Sequence, residues 1–181
     1  MSWSSISAED VQAQAWKNGG GRTRELLAWP HPSDWILRVS VADIEADGPF
    51  SSFPGVQRWF AVLRGNGVRL YDYELSAGSE LLSFDGSLGP ECELIKGPTL
   101  DFNLMHLRGH GRVRVQPADA PCALAGRLML LFTADGGLLD HGGRRMQLAP
   151  LSLAWCEEPA AQPMRFEGSG AAWWMAWSPN E

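Results

Sequence analysis

Gly48-Pro49-Phe50-Ser51-Ser52-Phe53-Pro54-Gly55-Val56-Gln57-Arg58-Trp59-Phe60-Ala61-Val62-Leu63-Arg64-Gly65-Asn66-Gly67 carries the strand and turn signals that point to the fold class. From Arg58 to Leu63 it is rich in aromatic and β-branched residues and reads as a strand. Arg64-Gly65-Asn66-Gly67 then reads as a turn. Val68, Leu70 and Tyr71 continue beyond it, so the stretch predicts a hairpin with Asn-Gly turn chemistry.

The same texture extends in both directions. Trp35, Leu37, Val39 and Val41 fall on one face of an alternating segment, with Asp34, Ile36, Arg38 and Ser40 on the other. Further strands fit Glu91 to Ile95, Asp101 to Leu107, Val113 to Val115, Arg127 to Thr133, Leu151 to Cys156 and Ala172 to Trp177. Asp135-Gly136-Gly137 and His141-Gly142-Gly143 read as turns. Only Ser7 to Val11 reads as helical, a single turn capped by Ser7 with Asp10 three residues on. Many short strands with recurring turns predict an all-β sandwich or barrel with little helix, not a parallel α/β sheet. The texture changes between Arg108 and Ala125, which predicts two halves, residues 1–107 and 108–181, packed as one compact unit.

Composition narrows the partners. The net charge is −6 without a run of basic residues, which argues against nucleic acid, whose phosphates call for a clustered positive face. The apolar run Ala171 to Trp177 is too short for a membrane span. Met1-Ser2-Trp3-Ser4 has neither a basic region nor an apolar stretch, so no signal peptide is visible and a cytoplasmic location is expected. Cys92, Cys122 and Cys156 are odd in number and far apart, the pattern of reduced, mostly buried thiols.

The most unusual local motif is Trp16-Lys17-Asn18-Gly19-Gly20-Gly21-Arg22-Thr23-Arg24-Glu25. Three consecutive glycines permit positive φ and leave N–H groups able to face an anion. It is neither a phosphate loop, because no Gly-Lys-Ser/Thr follows, nor a dinucleotide fingerprint, because no acidic residue at the required distance frames it. A plain glycine turn with solvated charges is the competing reading. Arg38 shares a strand face with Ser40, and the sequence leaves open whether that face points inward. Inward, its charge would need a partner, either a protein carboxylate or a ligand. His31, His106, His110 and His141 form no His-x-His pair, and no metal site is expected.

Gly48 to Gly67 resembles the first cupin motif by its spacing. In that superfamily two histidines, two apart, are followed by a glutamate and then a glycine turn. Here Ser51, Phe53 and Arg58 stand at the ligand positions and Gly65 at the turn. Gly78-x5-Phe84-x-Gly86 resembles the second motif, with Gly89 where its histidine would stand. Neither set offers metal ligands. In detail the chain is similar to the HutD (Ves) proteins of bacteria. That resemblance rests on the Trp16 to Glu25 motif, Arg38-Val39-Ser40-Val41-Ala42, Gly48-Pro49-Phe50-Ser51-x-Phe53, Arg58, Phe84-Asp85-Gly86 and Asp101-Phe102-Asn103-x-Met105. It implies a tandem cupin (bicupin) of antiparallel β-barrels with the functional cleft in the first. It also implies an association with histidine utilisation, with a binding or regulatory role towards N-formylglutamate or urocanate.

Carried onto this chain, the motif residues suit a pocket for a small carboxylate metabolite, without metal or cofactor. Arg38 and Arg58 offer forked donors to carboxylates of a dianionic ligand. Lys17 and the Gly19-Gly20-Gly21 backbone close one end. Asn18, Ser51 and Asn103 are placed to bind an amide or formyl group beside Ser40, and Trp16, Phe50 and Phe53 to exclude water. Glu25 and Asp101 are expected to hold the arginines in place. Two rival readings are a metal-independent isomerase or hydrolase with Lys17, Glu25 or Asp101 as acid/base, and an interaction module with Trp173, Trp174 and Trp177 exposed. The bland reading of those tryptophans is a final core strand. A homodimer is an expectation on family grounds alone.

Overall fold

The computed structural model describes residues 2–180. Strands run in chain order as β1 (Ser4–Ser7), β2 (Gln14–Ala15), β3 (Gly21–His31), β4 (Asp34–Ile44), β5 (Gly48–Pro49) and β6 (Val56–Arg64). Then come β7 (Val68–Leu70), β8 (Tyr73–Leu75), β9 (Leu82–Asp85), β10 (Glu91–Leu94), β11 (Thr99–Leu107) and β12 (Arg112–Pro117). The last six are β13 (Leu128–Thr133), β14 (Gly137–His141), β15 (Arg144–Leu148), β16 (Ser152–Glu157), β17 (Met164–Gly168) and β18 (Ala172–Ser178). A single 3-10 turn, Ala8–Asp10, is the one helical element among the described residues. The fold is therefore all-β, and every strand pair is antiparallel.

Two compact units form. One is Val11–Arg108. The other starts at Gly109 and also takes the N-terminal segment through Asp10. That segment belongs there because β1 lies along β16, with Ser4 opposite Trp155 and Ser7 opposite Ser152. Trp3 adds an anchor, its indole N–H donating to His141 Nδ1 at 3.1 Å.

In the Val11–Arg108 unit a six-stranded sheet has the order β2-β3-β4-β11-β6-β9 and a four-stranded sheet the order β5-β10-β7-β8. Alternation along β4 explains its placement. Leu37, Val39 and Val41 are fully buried on one face, while Arg38, Ser40 and Ala42 face a cleft on the other. Ile44, Phe60 and Val62 from the larger sheet pack against Val68, Leu70, Leu75 and Cys92 from the smaller one. Each such buried side chain contributes roughly 1.5–3 kcal/mol. In the other unit β1-β16-β13-β18-β12 form one sheet and β15-β14-β17 a second, around Met129, Leu131, Leu139, Leu148 and Trp174.

One sequence expectation changes here and one rival reading falls. The chain does turn at 64–67, yet the hairpin does not form, because β6 stays in the larger sheet and β7 joins the smaller one. Gly65 and Gly67 hold φ of 99° and 109°, well beyond the roughly +57° of the left-handed region. A Cβ on Gly65 would fall 2.6 Å from the Pro98 carbonyl oxygen. The turn thus presses the chain towards β11 and sends Val68 and Leu70 to pair with β10. The rival reading with an exposed tryptophan patch falls, and the core-strand reading holds: Trp173, Trp174 and Trp177 are 8%, 0% and 6% exposed. Cys92 and Cys156 are buried, Cys122 is half-buried, and all three are free thiols.

Candidate functional site

A cleft of about 470 Å³ opens on the six-stranded sheet of the Val11–Arg108 unit. Its floor follows from strand register. Arg38 lies opposite Met105 and Met105 opposite Arg58, while Ser40 lies opposite Asn103 and Asn103 opposite Phe60. Both arginines therefore rise from the same row, two strands apart, which is about 10 Å between their backbones. Arg38 faces inward, and the sequence alone left that open.

Arg58 dominates the chemistry. It is 5% exposed, and among the described residues no carboxylate lies within ion-pair distance of it. Its Nη2 donates to Asn103 Oδ1 at 2.9 Å and its Nη1 to the Ser51 carbonyl oxygen at 3.4 Å. Nε is buried without a partner. Three rings surround the guanidinium, with centroids at 5.0 Å for Phe50, 5.7 Å for Phe53 and 5.1 Å for Phe84. Burial, and then the charge of Arg38, push the Arg58 group down to about 10. It remains cationic at neutral pH, a buried positive charge held by dipoles and ring faces alone. Gly86 makes room for this, since a Cβ there would sit 3.2 Å from the Arg58 stem and 2.8 Å from the Val56 carbonyl oxygen.

The positions that resemble cupin metal ligands thus hold a hydroxyl, a ring and a cation, at Ser51, Phe53 and Arg58. Such a set suits an anion and does not fit a metal ion. Among the described residues no group of three or more His, Cys, Asp or Glu side chains converges elsewhere.

Arg38 differs from Arg58 in having a partner. Its Nε donates to Glu25 Oε2 at 2.5 Å, with side-chain exposures of 22% and 36%. A bulge in β3 between Glu25 and Leu27 brings this carboxylate within reach. Glu25 therefore does hold an arginine, as expected. Asp101 does not. It is fully buried and accepts from Thr99 Oγ1 at 2.7 Å, and it is not among the residues lining the cleft.

The glycine motif has a different role from the one the sequence suggests. Gly19 N–H donates to the Trp16 carbonyl at 3.1 Å and Gly20 N–H to Asn18 Oδ1 at 3.0 Å, so these donors close a turn between β2 and β3 and face no anion. Gly19, Gly20 and Gly21 lie off the cleft wall. Gly21 instead makes space. A Cβ there would collide with the Asp43 carbonyl oxygen and meet the Trp16 ring at 3.1 Å. Trp16 is pinned from the other side by its indole N–H, which donates to Thr23 Oγ1 at 2.8 Å. The Gly21→Ala variant is expected to displace Trp16 and lose about 1–3 kcal/mol of stability, as overpacked sites do. A urea unfolding midpoint equal to the parent's would show that the loop has slack.

Trp16, Lys17, Asn18, Arg38, Ser40, Phe50, Ser51, Phe53, Arg58 and Asn103 all line the cleft. Residues that sequence reasoning missed are Gln14, Ala15, Thr23, Ala42, Ile44, Pro49 and Met105. Period-two extension from Ser40 to Ala42 and Ile44, and from Asn103 to Met105, carried the signal for three of them.

The HutD family model matches residues 8–174. An uncharacterised 21.2 kDa protein from the hutC 3′ region of Pseudomonas putida is 35% identical over 152 residues, covering 78% of this chain and 80% of the relative. The structure of HutD from Pseudomonas fluorescens SBW25 in a formate condition matches with a TM-score of 0.82 and 26% identity, covering 99% of this chain and all of that one (100%). A cupin 2 conserved barrel domain protein from Leptotrichia buccalis matches at a TM-score of 0.54 and 12% identity over 95% of this chain and 94% of its own. That last likeness shows a cupin-like fold and nothing more.

Proposed function

The chain belongs to the HutD family, and from that premise we propose that it is a metal-free bicupin, each unit a β-barrel, that binds a small carboxylate metabolite and so buffers or signals its concentration in the cytoplasm. The observation that carries this reading is Arg58, a buried guanidinium without a protein carboxylate that opens onto a cleft. A cation kept in that state is costly unless something anionic completes it. Asn103 supports the reading. Its Oδ1 is occupied by Arg58, which turns its amide donors towards the cleft it lines. Trp16, Phe50 and Phe53 supply apolar walls, so a ligand's charge is met inside and water is kept out.

Support for a ligand from histidine utilisation comes from the relative in the hutC 3′ region, and N-formylglutamate and urocanate are the candidates. Formate, the smallest carboxylate, is the minimal probe. At saturating concentration a ligand that binds the native state raises the melting temperature, by about 2.7 kcal/mol of stability at a hundred times Kd. A thermal-shift series with formate, N-formylglutamate and urocanate is expected to show this for at least one of them. No shift with any of the three removes the proposal.

A further inference from the structure

The two arginines of the cleft are not equivalent, and we infer that Glu25 determines the specificity of the site, reserving the Arg38 end for a neutral hydrogen-bond acceptor and leaving Arg58 as the carboxylate's seat. This inference rests on the carboxylate reading above. It starts from charge. Among the described residues Arg58 has no carboxylate partner, whereas Arg38 is joined to Glu25 at 2.5 Å. Glu25 is not itself among the residues lining the cleft, but it pairs with Arg38, which is. The pair carries no net charge, and Arg58 stands as the buried cation without a carboxylate partner among the described residues. Lys17 also lines the cleft but is exposed, where water and salt screen it.

A second ligand carboxylate brought up to Arg38 would lie close to the Glu25 carboxylate as well. Arg38 and Glu25 are only partly exposed, so like charges a few ångströms apart there repel more strongly than they would in bulk water. A carbonyl or heteroaromatic nitrogen has no such difficulty. Only Nε of Arg38 is engaged by Glu25, so the two Nη groups remain donors, and Ser40 and Asn103 lie beside them in the next row. The class of ligand that fits is an acid with a neutral acceptor placed a short chain away. Any further charge on it belongs at the exposed Lys17 rim.

N-Acetylglycine and succinate make a matched pair, because succinate places a second carboxylate where N-acetylglycine places its amide carbonyl. Calorimetric titration of the parent protein is expected to favour N-acetylglycine over succinate by about tenfold, the scale of one modest charge repulsion. Glu25→Gln is expected to erase that preference by tightening succinate, while N-acetylglycine changes less than about threefold. Glu25→Asp, which keeps the charge, should retain the parent's ratio. If the parent binds the probes and Glu25→Gln leaves their ratio unchanged, or if the parent prefers succinate, Glu25 does not set specificity and the inference is overturned. If neither probe binds the parent, the carboxylate reading itself is overturned and the inference with it. Should Glu25→Gln fail to fold, as judged by its thermal unfolding, Glu25→Ser carries the same test.

Discussion

Arg58→Met is expected to abolish carboxylate binding and at the same time to raise the stability of the fold. Both effects come from one fact, a guanidinium 5% exposed without a carboxylate partner. Its desolvation is offset by hydrogen bonds to Asn103 and the Ser51 carbonyl and by three ring faces. Exposed cation–π contacts are worth about 0.5–1 kcal/mol, and desolvated ones about 2. Replacing buried charged groups by apolar residues of similar volume is often neutral or stabilising by about 1–4 kcal/mol. Methionine follows the path of the arginine stem past Gly86 and can fill the space between Phe50, Phe53 and Phe84. Arg58→Ala should behave differently, losing binding and stability together, since it leaves a hole inside the ring cage. Calorimetry with the formate and N-formylglutamate probes, beside thermal unfolding of both variants, separates the cases. A methionine variant that melts lower than the parent and still binds would make Arg58 a structural residue and sink the binding-site assignment.

The same trade explains what was legible in the sequence. The face bearing Arg38 and Ser40 was visible because β4 alternates strictly, and period two is a local property. Phe50, Phe53 and Arg58 were visible because they fall at motif positions a few residues apart. Features that depend on distant partners were hidden. β3 carries Arg22 and Arg24 on the face away from the cleft, and their acids, Asp43 and Glu45, come from β4 and the residue after it. Before pairing is known, that segment looks like a cationic loop. The glycine donors were expected to face an anion and instead close a turn, because Trp16 and Asn18 supply acceptors within the loop. Pairing of β6 and β7 was expected from turn residues, but Val68 and Leu70 find better-matched partners in β10. Long-range pairing decided the ion pairs and the strand partners, and no local pattern encodes it; the glycine turn is local, but its acceptors show only once the loop is folded.

Asp101 makes the second large prediction. It is fully buried and on the same face of β11 as Asn103 and Met105, flanked by Ala42 and Val62 on the neighbouring strands. Thr99 donates to Oδ2, and Oδ1 has no donor. A carboxylate with one hydrogen bond and no exposure to solvent is poorly stabilised. Burial foremost raises its titration, the Thr99 bond lowers it and the charge of Asp43 raises it again, to about 8 overall. The acid is therefore neutral at pH 7. An unfolded Asp ionises near pH 3.9, so between roughly pH 4 and pH 8 the native chain holds a proton that the unfolded chain has lost. Stability must then fall as pH rises across that window, at up to about 1.4 kcal/mol per pH unit from this group. Asp101→Asn keeps the shape and removes the titration. Urea unfolding from pH 5 to pH 9 should show a shallower decline in the variant, leaving it more stable than the parent by a few kcal/mol at pH 9. Above pH 8 the parent also acquires a negative charge on the face of β11 that carries Asn103, so its affinity for formate should drop there and that of Asp101→Asn should hold. Identical pH slopes for parent and variant would mean that Asp101 is ionised throughout, and the cleft would then rest on a buried anion in place of a neutral acid.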